Sequence, residues 1–239
     1  MPRELKIKNR NEFLRYLDSV SRINDSAIFE ITPTGMSCLV SSIDNTLVLL
    51  SEFKSDFDIT TTINVPDIKK FQRVIDTLND DEVTLTINSN NLEYRGNDVK
   101  FKYHLFEEGF LTKPGLNVDK IRSFKFDVNF DFSRDTVQSL LKGSTFASET
   151  NKVYFYTEGG SVKADLTDKS RHNTDNYSIT VGSSDNELKS TPVNFDNIRL
   201  LSAVSSEYKC NINTEYGVVV IDNDTDCIKL KYIISSLTQ

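Results

Sequence analysis

The chain is poor in the residues that most directly mark catalysis or compartment. It has three cysteines, Cys38, Cys210 and Cys227, and two histidines among 239 residues. Three scattered thiols are too few for a disulfide framework or a zinc knuckle, and they read as core or strand residues. His104 falls in a strand with aromatic neighbours and His172 in the polar loop SRHNTD, neither beside a nucleophile in the sequence, so no catalytic set can be assembled. No stretch approaches the ~20 apolar residues that span a bilayer, and the N-terminal MPRELKIKNRNEF holds no apolar run of signal-peptide length. Phosphate loops are missing as well: Lys142-Gly143-Ser144-Thr145 has the wrong order and follows a helix instead of preceding one. Asp222, Asp224 and Asp226 have the spacing of the first ligands of a calcium loop. Cys227 stands where that loop needs glycine and Ile233 where it needs glutamate, so a polar hairpin turn is expected. The chain therefore reads as a soluble, intracellular non-enzyme with no cofactor, metal or membrane partner.

What is present is a repeat. The stretch Pro66 to Asn79, PDIKKFQRVIDTLN, is amphipathic at helical spacing, with Ile68, Phe71, Ile75 and Leu78 on one side and Lys69, Lys70 and Arg73 on the other. Pro66 suits the first helical position and Asp67 the first turn. A strand from Leu5 to Lys8 and a helix from Asn9 to Arg22, with the stripe Phe13, Leu14, Leu17 and Val20, open the chain. Alternating runs follow at Ala27–Thr32, Met36–Ser42, Leu47–Phe53 and Phe57–Val65, then, after the second helix, at Glu82–Asn88, Leu92–Arg95 and Val99–Phe106. From Glu107 to Arg122 the pattern lapses into a connector whose apolar residues suggest that it lies along a surface.

Beyond it the programme restarts. A strand at Phe124–Phe132 precedes a helix capped by Ser133, then come strands at Val153–Thr157, Ser161–Leu166 and Tyr177–Gly182. A helix from about Asn194 to Ser206 precedes strands at Tyr208–Thr214, Val218–Ile221 and Ile228–Ile234. The four helices start about sixty residues apart, which makes a fourfold repeat grouped as two halves. Each half has sheet in excess of helical cover, implying an open face or a mate from another subunit.

A net charge of −7 argues against binding to phosphate unless the charge is segregated, and it is. The helical segments carry Arg10, Arg15, Arg22, Lys69, Lys70, Arg73, Arg134, Lys142 and Arg199 against fewer acids, and Asp67, Asp135 and Asp196 of those acids fall in first turns, where the helix dipole accounts for them. Arg134, Gln138 and Lys142 recur at every fourth residue, opposite Val137, Leu140 and Leu141. Ordinary solvated helix faces are the plain alternative for any one helix. A surface positive only on its helices suits a phosphate backbone read without base contacts.

In this arrangement the chain resembles the ring-forming, two-domain DNA sliding clamps, similar in plan to proliferating cell nuclear antigen and closest in style to the clamps of T-even-type bacteriophages. DKIRSFKFDVNFDFSRDTVQSLLKG resembles their passage from connector to second domain, and CIKLKYIISSLTQ their last strand and tail. The resemblance implies an α+β fold of two similar domains, each with antiparallel sheets and two helices. Residues 1–107 and 123–239 would form the domains and 108–122 the connector, with three subunits closing a ring whose hole is lined by the nine basic residues. It implies subunit contacts through Lys102, Tyr103 and His104 on one edge and Tyr177 and Ile179 on the other. A pocket for partner peptides would be formed by Val40, Leu116, Val118, Ile121, Tyr232, Ile233 and Ile234. The implied partners are double-stranded DNA without sequence preference, the replicative DNA polymerase, an ATP-driven clamp loader and late-transcription proteins, in the cytoplasm of a bacterial host. A β-rich virion or assembly module and a monomeric polymerase accessory subunit of the same fold are the alternatives.

Overall fold

The computed structural model describes residues 3–117, 121, 123–201 and 207–237. The first run of elements is β1 (Arg3–Ile7), α1 (Arg10–Ser21), β2 (Ala27–Thr32), β3 (Gly35–Ser41), β4 (Leu47–Lys54), β5 (Thr61–Val65), α2 (Ile68–Asp76), β6 (Val83–Ile87), β7 (Asn91–Arg95) and β8 (Lys100–His104). The second is β9 (Val128–Ser133), α3 (Arg134–Phe146), β10 (Lys152–Glu158), β11 (Ser161–Leu166), β12 (Tyr177–Ser183), β13 (Thr191–Asn194), α4 (Phe195–Arg199), β14 (Glu207–Asn213), β15 (Val218–Asp224) and β16 (Ile228–Ser235). The order β-α-ββββ-α-βββ is thus run through twice, and the fold is α+β with antiparallel sheets.

Contacts divide the chain into two units, Met1–Gly115 with Thr225–Leu230, and Leu116–Asp224 with Lys231–Gln239. In the first unit the sheets run β1-β6-β7-β8 and β5-β2-β3-β4; in the second, β9-β14-β15-β16 and β13-β10-β11-β12. Strand pairing is therefore repeated along with element order. The start of the last strand belongs to the first unit, where the Lys54 amide donates to the Cys227 carbonyl at 2.7 Å and the Lys54 ammonium to the Thr225 carbonyl at 2.7 Å.

The strands form where apolar and polar residues alternate, and β4 shows this cleanly: Leu47, Leu49, Ser51 and Phe53 are buried and their neighbours half-exposed. Two-residue turns join β2 to β3 and β10 to β11. The second is Gly159-Gly160, with φ of 58° and 77°, a conformation that costs glycine nothing. The core of the first unit is aromatic, with ring centroids 5.4 Å apart for Phe13 and Phe53, 5.7 Å for Tyr16 and Phe53, and 5.0 Å for Phe71 and Tyr103. In the second unit Phe132 stacks on Tyr208 at 5.2 Å, and α3 reaches β12 at Gly143, where a Cβ would stand 2.2 Å from the Tyr177 ring.

Several expectations are corrected. Asp67, not Pro66, begins the second helix: its carboxylate accepts from the Lys70 amide at 2.8 Å as an N-cap, and Pro66 stands outside. That helix ends at Asp76 with Thr77 as its cap, short of Asn79. On α1 the inward stripe uses Tyr16, fully buried, where Leu14 was expected, because the phenol finds polar partners in the core. The Tyr16 hydroxyl donates to the Met36 carbonyl at 3.3 Å and accepts from Ser51 at 3.3 Å. The strand expected from Phe57 begins only at Thr61, and the one expected from Phe124 only at Val128. The fourth helix spans Phe195–Arg199 with its cap at Leu200; the expected continuation over 202–206 lies outside the described residues. β13, Thr191–Asn194, was not anticipated because Pro192 interrupts the alternation; Pro192 pairs with Tyr154 beside the sheet's edge.

Candidate nucleic-acid interface

The four helices α1 to α4 are each set by a side-chain cap, Asn9, Asp67, Ser133 and Asn194 accepting from the amides of Glu12, Lys70, Thr136 and Asp196. The caps fix where each begins, and the apolar spacing decides which face turns inward. On α2, Ile68, Phe71 and Ile75 are buried while Lys69, Lys70 and Arg73 are exposed; on α3, Val137 and Leu140 are buried while Arg134, Gln138 and Lys142 are exposed.

The nine cations fall into three groups. Arg15, Arg22, Lys69 and Arg199 are exposed but neutralised by Glu12 at 2.6 Å, Asp18 at 2.9 Å, Asp25 at 3.0 Å and Asp196 at 2.9 Å. Such surface pairs are worth about 0–1 kcal/mol, so a phosphate group exchanges with them readily. Lys70, Arg73, Arg134 and Lys142 have no carboxylate within ion-pair distance among the described residues; Arg73 only donates to the Lys69 carbonyl of its own helix at 3.3 Å. Arg10 is different. Its side chain is 15% exposed and donates to the Asp76 carbonyl at 3.1 Å, placing a cation at the C-terminal end of α2, where the dipole favours it. Arg10 is a joint between two helices, not an open contact.

The residues expected to form a peptide pocket are placed unevenly. Val40 is buried at the base of a cleft of about 190 Å³ in the first unit, lined also by Ile28, Asn45, Leu111, Lys113 and Pro114. Lys113 forms an ion pair with Glu30 of β2 and so holds the connector's first half over the cleft. In the second unit Tyr232 and Ile234 are core residues with 0% exposure, Ile233 and Ile121 are buried and Leu116 is half-buried. Tyr232 and Ile234 are thus corrected from lining to core residues, because three consecutive positions of β16 turn to buried surroundings. Val118 lies outside the described residues.

Ile43 was missed. It is 97% exposed on the β3–β4 turn, which the Asp44 carboxylate holds by accepting from the Ser42 hydroxyl at 2.6 Å and the Thr46 hydroxyl at 2.9 Å. The Ser42 bond, with the others, draws the Asp44 carboxyl below its ordinary range. An isoleucine between a serine and an aspartate was the available signal.

Of the expected subunit contacts, Lys102 and His104 are exposed on β8, an end strand of its sheet; Tyr177 and Ile179 are half-exposed on β12, likewise an end strand. Tyr103 is corrected: it turns inward, 5% exposed, against Phe71.

Two β-α-ββββ-α-βββ repeats with matching sheets are the architecture of the DNA sliding clamps, and this chain has that fold. Its structure is similar over 100% of both chains to proliferating cellular nuclear antigen from Entamoeba histolytica, with a TM-score of 0.76 and 12% sequence identity. A. fulgidus PCNA, solved with the C-terminal region of FEN-1 bound, matches over 99% of each chain with a TM-score of 0.76 and 11% identity. The β subunit of DNA polymerase III from Thermotoga maritima matches with a TM-score of 0.74 and 15% identity, over 99% of this chain and 66% of that subunit. No family model matches the chain, and no curated protein sequence does.

Proposed function

We propose that the chain is a non-enzymatic processivity factor of the T-even bacteriophage type, a homotrimeric sliding clamp that encircles duplex DNA and tethers the replicative polymerase. The observation that carries the proposal is the segregation of charge: in a protein of net charge −7, the outward faces of α2 and α3 are basic. Phosphates are attracted to such faces without base contacts, and the loose pairs at Arg15, Arg22, Lys69 and Arg199 exchange easily, which suits sliding rather than gripping. Retention is topological, so tight DNA binding is not required. The cleft beside Val40, where Ile28, Leu111 and Pro114 stand among the polar Asn24, Ser41, Asn45 and Lys113, and the exposed Ile43 suit a short partner segment of mixed apolar and polar character, as offered by a polymerase, by late-transcription proteins and by an ATP-driven loader that opens the ring. With such partners, the proposed place of action is the cytoplasm of a bacterial host.

The test is solution mass by light scattering across a dilution series, followed by retention on DNA. A species of three chain masses that stays on closed circular DNA and runs off linear DNA is expected. A monomer at every concentration, or equal loss from both templates, overturns the proposal.

A further inference from the structure

We infer that the second unit carries a site for a primary ammonium group, built by Tyr154, Tyr156, Asp165 and Ser190, which Lys169 fills from within the chain and which a lysine of a partner protein can take in its place.

The site lies on one face of the sheet β13-β10-β11-β12. Tyr154 of β10 stands directly opposite Asp165 of β11, and alternation turns Tyr154, Tyr156 and Asp165 away from the core residues Val153, Phe155, Ala164 and Leu166. Over them lies Lys169, from the loop that joins β11 to β12. Its ammonium is 4.6 Å from the centre of the Tyr154 ring, 5.1 Å from that of Tyr156 and 3.8 Å from an Asp165 oxygen, and it donates to the Ser190 hydroxyl at 3.0 Å. Two ring faces, one anion and one hydroxyl suit a compact group with three donors. A guanidinium, which is planar and best met by two parallel acceptors, suits them less.

The walls are fixed and the occupant is not. β10 lies between β11 and β13, Tyr154 is 8% and Asp165 6% exposed, and the Tyr156 hydroxyl donates to the other Asp165 oxygen at 3.1 Å. The Lys169 side chain is 43% exposed. Its loop is held without it: the Asp168 carboxylate accepts from the Ser170 hydroxyl at 2.6 Å, the Ser170 amide at 3.1 Å and the Lys152 ammonium at 3.0 Å, with Arg171 at 3.4 Å. Lys152 is thereby taken by Asp168, and Lys163 by Glu158. Among the described residues Lys169 is the cation within ion-pair distance of Asp165. A carboxylate so deeply set is costly without a counter-ion, so when Lys169 swings out Asp165 favours the entry of another cation.

The internal repeat brings a lysine to the same place in the first unit. Thr32 and Gly35 flank the β2–β3 turn as Glu158 and Ser161 flank the β10–β11 turn, so Glu30 is the counterpart of Tyr156 and Ile28 of Tyr154. Glu30 takes the ammonium of Lys113, from the connector. In both units this face receives a lysine from a segment lying outside the sheet; in the second, two rings are added to the anion.

The probe is Nα-acetyl-lysine amide, whose one charge is the side-chain ammonium. It is added at constant ionic strength to the full chain and to Lys169→Ala, both with isotope-labelled tyrosine, and the ring signals of Tyr154 and Tyr156 are followed by NMR. Saturable shifts of both rings are expected in both proteins. The half-saturating concentration should be about tenfold lower in Lys169→Ala, where no tethered lysine competes. Neutral Nα-acetyl-leucine amide should shift neither ring. No saturable shift in Lys169→Ala, or an equal shift with the leucine probe, overturns the ammonium site. Equal half-saturation in the two proteins overturns its occupation by Lys169. Shifts confined to Lys169→Ala overturn the exchange and make Lys169 a fixed strap.

Discussion

The Tyr103 hydroxyl donates to the Asp67 carbonyl at 2.7 Å and accepts from the Asp67 amide at 3.1 Å. One phenol on the end strand β8 thus holds both backbone groups of the residue that caps the basic helix α2. The position of Lys69, Lys70 and Arg73 is coupled through this side chain to the edge strand.

Tyr103→Phe keeps the ring against Phe71 and removes both bonds. A loss of about 1 kcal/mol of stability is expected, measured by urea unfolding, with earlier amide hydrogen exchange in the first turn of α2 than elsewhere in the first unit.

Burial pushes Tyr103 from its ordinary value near 10 to about 12, Cys38 from near 9 to about 11, and Tyr16 well above its ordinary value. In each case the folded state holds its proton more tightly than the unfolded chain. The contribution is therefore complete below the unfolded values and is lost as pH rises through the folded ones. Unfolding free energy should be level from neutrality to about pH 9 and fall above it, with a shallower fall in Tyr103→Phe; a fall beginning below pH 8 contradicts the assignment.

Charge removal should separate the cations by their partners. Alanine at Lys70, Arg73, Arg134 and Lys142, which lack carboxylate partners among the described residues, is expected to weaken duplex binding at low salt and flatten its salt dependence by about three to four phosphate contacts. Alanine at Arg15, Arg22, Lys69 and Arg199 frees acids as it removes bases and should weaken binding further, by repulsion. Lys70, Arg73, Lys142 and Arg15 all changed to Glu should abolish processive synthesis while leaving the oligomer's mass unchanged.

Gly143→Ala drives a methyl group into the Tyr177 ring and is expected to cost about 1–3 kcal/mol. Pairing it with Tyr177→Ala, which vacates that space, should recover part of the loss; thermal melts of the two single variants and the double variant test the coupling.

Ile43→Ser replaces a side chain that touches almost nothing and should alter stability by less than about 0.5 kcal/mol. Shorter products in primer extension with the replicative polymerase, at unchanged melting temperature, are the expected outcome. Full-length products would remove Ile43 from the partner surface.

Much of the architecture was legible because it is periodic. Alternation located most strands, and helical spacing located α1, α2 and α3, since burial imposes those periods on Phe13, Leu17 and Val20 or on Ile68, Phe71 and Ile75. What escaped was local. A proline hid β13, a proline was taken for the helix start that an Asp67 carboxylate in fact makes, and Tyr16 replaced Leu14 because its hydroxyl is satisfied by Ser51 and Met36, residues far away in the chain. The candidate site was legible as charge but not as partnership: nothing local in the sequence shows that Arg10 is spent on Asp76, or that Lys69 meets Asp25.

The first unit's sheet is finished by residues 225–230, and the Lys54 ammonium reaches a carbonyl 171 residues further along. On the ribosome the first half must therefore wait, with the edge of β4 bare, until residues 225–230 have emerged. Closing so long a loop is slow. The interval before residues 225–230 arrive is when a nascent chain is most open to pairing with the wrong edge, including that of another copy of itself.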